Sequence, residues 1–258
     1  MTLGVNHVAL GQIEDHGDHS SMPDSPTAKP SILAHIGLVF RQNRSACVLL
    51  NLLVITLVTT YYQVPAVTEV WENIGAFKTR WSYGFSLLST ILAAAVLPFC
   101  IQWLMGTLPA KSRWQRLLAL MVFWGYRGME IDLFYRLQGA LFGHGNDVLT
   151  LIIKVAFDQF VASPIWFVPT YLIVLRWIDL DCSWSRTRAS LNRDFWTRTC
   201  PTVMITNWLV WVPTLALVYS LPPALQFPLF SIVMCFFILI VMILAGSKTE
   251  PKLATPNY

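Results

Sequence analysis

Residues 154–169 read Lys-Val-Ala-Phe-Asp-Gln-Phe-Val-Ala-Ser-Pro-Ile-Trp-Phe-Val-Pro, an apolar stretch interrupted by a carboxyl group, an amide and two prolines. The apolar residues are typical of a membrane-spanning helix. A charge near the bilayer centre costs at least about 2.5–3.5 kcal/mol on insertion scales, so Asp158 should face a partner or a water-filled cavity. Because proline lacks a backbone donor, Pro164 and Pro169 should kink this helix. Asp158 and Gln159 are therefore the first candidates for a functional site.

The composition of the whole chain is that of a membrane protein. Of its 258 residues, 55% are hydrophobic and 12% are charged, whereas soluble domains contain about 25% charged residues. Several spans of about 20 residues use up most of this length, which excludes a separate soluble catalytic domain. The lipid bilayer is the predicted partner. The net charge of +4 comes from basic residues between apolar segments, which indicates topology and not nucleic-acid binding.

Two polar tails flank the apolar part of the chain. Residues 1–40 are too polar to bury a core and predict a disordered tail, and residues 248–258 form a short second tail. Residues 41–247 predict an all-α, multi-span bundle of membrane helices kinked by prolines. A mixed segment, 64–82, predicts an amphipathic anchor at the interface. The six apolar segments are residues 46–63, 83–105, 116–138, 148–175, 203–220 and 226–246.

Lysine and arginine are unevenly distributed between the loops of this predicted bundle. Loops on the cytoplasmic or matrix-like side of a membrane usually hold the excess of basic residues. Thirteen basic residues fall on one predicted side, within 29–44, 111–116, 176–198 and 248–252, whereas the other side has only Lys78 and Arg80. Both termini are therefore predicted on the basic side.

The third apolar segment carries the densest group of ionisable residues. Helical spacing pairs Arg127 with Glu130 at i,i+3, and Asp132 with Arg136 at i,i+4. One interpretation is a set of ion pairs that orient the helix. The other is a helix face that lines a polar passage, because intramembrane ionisable groups often mark substrate pathways. In that case a single polar layer of pore-lining residues is expected: Arg127, Glu130, Asp132, Arg136, Lys154, Asp158 and Gln159.

Buried carboxyl groups also suit an enzyme, because an acid in an apolar site can donate a proton. Glu130, Asp132 and Asp158 are the candidates for that role. No nucleophile elbow, phosphate loop or haem-ligand pair accompanies them, so no cofactor and no catalytic residue is predicted. The five cysteines lack CxxC spacing and nearby histidines, so no metal site is predicted either.

Several motifs follow one another in the C-terminal half. Asp158-Gln159 precedes Arg193-Asp194-Phe195-Trp196 and then Ile205-Thr206-Asn207-Trp208-Leu209-Val210-Trp211. In order and spacing these residues resemble the signature of the Mpv-type, peroxisomal 22-kDa membrane protein family, over about residues 120–245. Tyr219 occupies the aromatic position that the family has between its tryptophan and its later proline, which are here Trp211 and Pro223. The matching single positions are Gly128, Tyr135, Pro164, Asp194, Trp196, Asn207, Trp208, Trp211, Pro213 and Pro223.

The chain resembles a divergent member of that family. Met129 and Asp132 replace the usual Gly-Pro and histidine, and apolar residues such as Phe227 replace the usual arginine and Trp-Asn of the last span. The resemblance implies a protein of an organelle membrane, peroxisomal or mitochondrial inner, and some relatives behave as pores for small solutes. Family members usually have four spans, so the six segments could contain four true spans.

Three classes of function compete at this point. A pore or transporter for small solutes, possible as a homo-oligomer, is favoured by the resemblance and by the intramembrane charges. A membrane-embedded enzyme would use the intramembrane acids. A non-catalytic accessory protein of a biosynthetic pathway requires no particular residue.

Overall fold

The computed structural model describes residues 32–108, 113–145 and 147–246, which form helices without any strand. The predicted all-α membrane bundle is therefore confirmed. Residues 1–31 and the predicted C-terminal tail lie outside the described residues, whereas residues 32–40, which we assigned to the N-terminal tail, are helical. The helices are α1 (Ile32–Gln63), α2 (Pro65–Trp81), α3 (Tyr83–Leu104), α4 (Arg113–Phe142), α5 (Val148–Asp179), α6 (Trp184–Ser190), α7 (Phe195–Tyr219) and α8 (Pro223–Gly246).

Four of these helices, α3, α5, α7 and α8, are long and apolar enough to cross a membrane. They fit an integral multi-pass membrane protein. More than half of the apolar stretch of α7 and of α8 is buried inside the bundle, against 28% for α5. Helices α7 and α8 are therefore central. Helix α5 lies at the periphery and exposes more apolar surface, which lipid covers.

The predicted span over residues 116–138 lies within α4 but is not among these four helices. Helix α4 has 30 residues, which is ample for a span, yet it carries Arg127, Glu130, Asp132 and Arg136 close together. Its charged side chains turn toward α2, α3 and α5, as described below. Length and composition therefore support four spans in the described part of the chain, two fewer than the six apolar segments.

A sharp bend joins α1 to α2. Pro65 occupies the first turn of α2, where its missing donor costs nothing, and the two helix axes differ by 104°. Together they fit a broken span, which would raise the span count to five, or a re-entrant loop, which would leave it at four. Helix α2 buries Trp71 and Lys78 and exposes Phe77 and Trp81. Its position at the membrane interface stays a prediction.

Helix α5 begins at a capping residue. The Oδ1 atom of Asp147 accepts a hydrogen bond from the Thr150 amide at 3.0 Å, which satisfies one of the free donors of the first turn. The hydrogen bonds from Thr150 also hold the pKa of the exposed Asp147 carboxyl below its ordinary value. The connection from α4 to α5 is short, so these two helices are neighbours.

A topology experiment tests the distribution of basic residues. Cysteines placed at positions 20 and 255 of an otherwise cysteine-free chain are expected to react with a membrane-impermeant maleimide from the same side. The reason is that an even number of spans, together with the basic-residue excess, places both termini on the basic side. Labelling from opposite faces would mean an odd number of spans and would contradict this topology.

Candidate functional site

The segment Asp158–Phe167 of α5 is a π-helix, in which backbone N–H groups bond to carbonyls five residues earlier. Pro164 has no N–H, so this pattern leaves the carbonyl of Gln159 without its partner in the helix. The indole Nε1 of Trp208, on α7, donates to that carbonyl at 2.6 Å. A neighbouring helix thus supplies the bond that the proline removes, as is usual for prolines in membrane helices.

Asp158 lies at the centre of a buried hydrogen-bond network between α4, α5 and α7. The hydroxyl of Tyr219 donates to Asp158 Oδ2 at 2.5 Å, and the side-chain amide of Gln159 donates to Oδ1 at 2.8 Å. Gln138 Nε2 donates to the Tyr219 oxygen at 3.1 Å. Asn207 Nδ2 donates to Gln159 Oε1 at 3.0 Å. The network therefore ties α5 to both of its neighbours.

Removal of the hydrogen bond from Trp208 to the Gln159 carbonyl should measurably lower the stability of the protein. Trp208→Phe keeps the aromatic packing against Phe160 but removes the donor. Leaving a buried carbonyl without a partner should lower the free energy of unfolding by about 1–3 kcal/mol. Thermal unfolding in one detergent measures this, with Trp196→Phe as control, because the Trp196 side chain is 46% exposed. Equal losses in both variants would contradict the role assigned to this bond.

Arg127 belongs to a second polar group, between α4 and the π-helical part of α5. Its Nη1 atom lies 2.7 Å from Glu130 Oε2, and its Nη2 atom donates to the Thr170 hydroxyl at 2.7 Å. The guanidinium also lies over the rings of Phe123 and Phe167, at 5.2 and 5.5 Å from the ring centres. Glu130 further accepts from Trp166 Nε1. The neighbouring Glu130 carboxylate therefore balances the positive charge of Arg127.

Asp132 forms a third group with α2 and α3. Its carboxylate lies 2.9 Å from Lys78 Nζ and 3.3 Å from Arg136 Nη2, and it accepts a hydrogen bond from Ser86 at 2.7 Å. Arg136 also donates to the Ser82 hydroxyl and lies over the Tyr83 ring. Two cations and a hydroxyl from three helices thus satisfy one buried acid.

The structure divides the predicted polar layer into these separate groups. The local pairs Arg127–Glu130 and Asp132–Arg136 are both present, but Asp132 does not join Asp158, so the prediction of one continuous layer is wrong. Lys154 is 2% exposed and makes no ion pair among the residues that the structure describes. Lys78, which we counted as a loop residue, is buried against Asp132. The reason is that α2 packs against α3 and α8, which brings the Lys78 side chain within reach of α4.

A cavity of about 170 Å³ lies between α4, α5, α7 and α8. Arg127, Asp158 and Gln159 line it, whereas Glu130, Asp132, Arg136 and Lys154 do not. Most of its wall is aromatic or aliphatic, with few polar groups, which is the usual character of a small-molecule site. The side chain of Trp124 is also on the wall, and its Nε1 donor has no hydrogen-bond partner among the described residues.

Most of the motif residues of the C-terminal half line this cavity or lie in the helices around it. Asn207 and Trp211 line the cavity, and Tyr135 lies on its wall in contact with the Tyr219 ring at 5.3 Å. Pro213 lies inside α7 and Pro223 begins α8. Asp194 and Trp196 lie at the start of α7, exposed and away from the cavity.

Gly128 permits the close approach of α4 to α3. A Cβ atom at this position would overlap the Thr90 hydroxyl and the Ser86 carbonyl oxygen. The Thr90 hydroxyl donates to the Trp124 carbonyl at 2.8 Å across the same contact. Steric overlap therefore explains why a glycine occupies position 128, which we singled out by resemblance.

Several residues of these networks escaped the sequence analysis as site residues, among them Lys78, Ser86 and Gln138. Lys78 is 54 residues from Asp132 in sequence, and Gln138 is 81 residues from Tyr219. No local spacing indicates such partners. The only available signal was that buried acids require donors, which does not say where the donors are.

No cluster of three or more histidine, cysteine or acidic side chains able to hold a metal occurs within residues 32–108, 113–145 and 147–246. The fold and the buried networks define a multi-pass, all-α membrane protein with a small, partly open cavity between its helices. Comparison with models of known protein families, with curated proteins and with solved structures finds no match.

Proposed function

We propose that this protein is a divergent member of the Mpv-type family in a peroxisomal or mitochondrial inner membrane, and that it transports small solutes as a pore or transporter. The arrangement of the motif residues supports this proposal. Asn207, Trp208 and Trp211, from one motif, all contact the Asp158–Gln159 pair or the cavity beside it. Residues that resemble a family signature therefore build one site.

The observation that carries the proposal is the position of Asp158 at the wall of a cavity between apolar helices. A carboxyl group within a membrane bundle is costly, and such groups usually lie on solute pathways. Helix α5 is also irregular at this point, and irregular backbone at membrane depth is tolerated where it is buried in protein or lines a cavity. Both features suit a solute passage better than a structural core.

The enzyme alternative has less support from the same residues. Of the three acids that it would use, Glu130 is paired with Arg127, and Asp132 with Lys78 and Arg136. Both carboxyl groups are occupied by basic partners, and neither lines the cavity. The accessory-protein alternative remains as the outcome expected if no transport is measured.

Flux through reconstituted protein tests the proposal. Planar bilayers or proteoliposomes containing the wild-type chain are expected to show solute flux, and Asp158→Asn is expected to change its charge selectivity, read as a shifted reversal potential. The matched control is Asp194→Asn, which removes an exposed charge outside the cavity and should leave selectivity unchanged.

Oligomeric state must be controlled, because a pore can require several subunits. Chemical cross-linking in native membranes identifies the oligomer, and the reconstituted sample is matched to it. No flux from such a sample, together with accumulation of a pathway intermediate in cells lacking the protein, would reject transport and favour the enzyme or accessory alternatives. A selectivity shift in the Asp194→Asn control as large as that of Asp158→Asn would also count against this site.

A further inference from the structure

The wall of the cavity is unusually rich in aromatic rings. Eight of its twenty lining residues are aromatic, against 13% in the chain as a whole. Rings from all four helices take part. On α7 and α8, Trp211 lies 5.4 Å from Phe230 and 6.0 Å from Phe237, between ring centres. On α4 and α5, Trp124 lies 6.0 Å from Tyr171. Ring faces attract cations through their quadrupole, most strongly when water is excluded.

Two charged side chains, Arg127 and Asp158, line this wall, and only Arg127 has an ion-pair partner among the described residues. Arg127 lines the cavity, but Glu130 neutralises it at 2.7 Å. Asp158 has no basic side chain within ion-pairing distance in the part of the chain that the structure describes, although Asp132 has two. Buried charges in proteins are usually paired. A positively charged ligand would supply the missing partner for Asp158.

The hydrogen bonds of Asp158 indicate what kind of cation fits. Tyr219 and Gln159 already donate to its two oxygens, and Ser163 donates to Oδ1 through a long contact of 3.5 Å. These donors occupy most of the lone pairs of its two oxygens. A methylated ammonium needs no hydrogen bond from the site, whereas a primary ammonium has three N–H groups to satisfy.

The size of the cavity limits the ligand. Its volume of about 170 Å³ is close to that of an engineered cavity of about 150 Å³ that accommodates benzene. This space suits a compact cation of roughly the size of choline.

We propose that the cavity binds a small quaternary ammonium ion, with the methylated nitrogen among the aromatic rings and opposite Asp158. As a statement about the transported solute, this inference rests on the proposed function. Binding itself is independent of transport and is measured without it.

The test compares choline with the neutral alcohol in which a carbon atom replaces the quaternary nitrogen. The two have nearly the same shape, so the comparison isolates the charge. Calorimetry on the full-length protein in lipid nanodiscs is expected to show choline binding at least about 10-fold more tightly, because a desolvated cation gains from both rings and carboxylate. Equal affinity of the two compounds, or no binding of choline, would overturn the inference.

Variants then locate the site. Asp158→Asn is expected to remove most of the preference for choline, and Trp211→Leu to weaken choline binding by about 10-fold, whereas Asp194→Asn should leave binding unchanged. An unchanged preference in both cavity variants would overturn the assignment to this cavity. If Asp158→Asn does not fold, the wild-type comparison and Trp211→Leu still decide the question.

The two proposals fail in different ways. Choline binding with the expected preference but without flux would uphold the cation site and reject transport. Flux of small solutes without any preference for choline over its neutral analogue would uphold transport and reject the cation site.

Discussion

Replacing Asp132 by asparagine is expected to destabilise the protein by about 3–5 kcal/mol, because it leaves the buried Lys78 ammonium without its anion. The Asp132 side chain is 1% exposed and that of Lys78 is 9% exposed, so water cannot take the place of the carboxylate. The cluster also joins three helices, since Ser86 donates to the same carboxylate. Loss of the charge should therefore loosen α2 and α3 from α4.

The loss of stability is measured by monitoring unfolding through tryptophan fluorescence in one detergent. The double variant Lys78→Met, Asp132→Asn should recover much of the loss, because it removes both charges and Arg136, whose side chain is 44% exposed, can turn to solvent. Asp194→Asn is the control, because its partner Arg198 is 3.9 Å away and both side chains are about half exposed, so little change is expected. A double variant no more stable than Asp132→Asn would contradict this account.

Gly128→Ala is expected to cost about 1–3 kcal/mol or more, because an added methyl group at a filled contact forces the helices apart. The atoms that it would meet include the Ser86 carbonyl oxygen, which belongs to the backbone and cannot rotate away. The shift should also weaken the bond from Thr90 to the Trp124 carbonyl. Thermal unfolding and far-UV circular dichroism of the purified variant measure the loss.

Gly84→Ala is the matched control on the neighbouring helix α3. A Cβ atom there would be 3.8 Å from the nearest atom, in the Trp81 ring, which is an ordinary contact. Alanine is the better helix former by about 0.5–1 kcal/mol, so this change should be neutral or stabilising. If both glycine variants behaved alike, the close approach of α3 and α4 would not be the reason for Gly128.

The polar residues of the site show where sequence reasoning succeeds and where it stops. The prolines and acid of α5 drew attention to residues 154–169, and the structure has a π-helical segment there, at Asp158–Phe167. The ion pairs Arg127–Glu130 and Asp132–Arg136 were predictable because both members lie within one helical turn. The pairing of Asp132 with Lys78 was not predictable from the sequence, and the separation of Asp132 from Asp158 was not predictable either.

The amino-acid sequence was sufficient for the class of fold, the apolar segments and the pairs within one helix, because hydropathy and the 3.6-residue period are properties of neighbouring residues. It was not sufficient for the partners of the α4 charges, since Lys78 and Ser86 lie on other helices, far from Asp132 in sequence. Only the tertiary structure brought Tyr219 to Asp158 across 61 residues and enclosed a cavity between α4, α5, α7 and α8. Such contacts depend on how each helix is rotated and crossed against the next, which is set by the packing of whole surfaces and not by any local spacing.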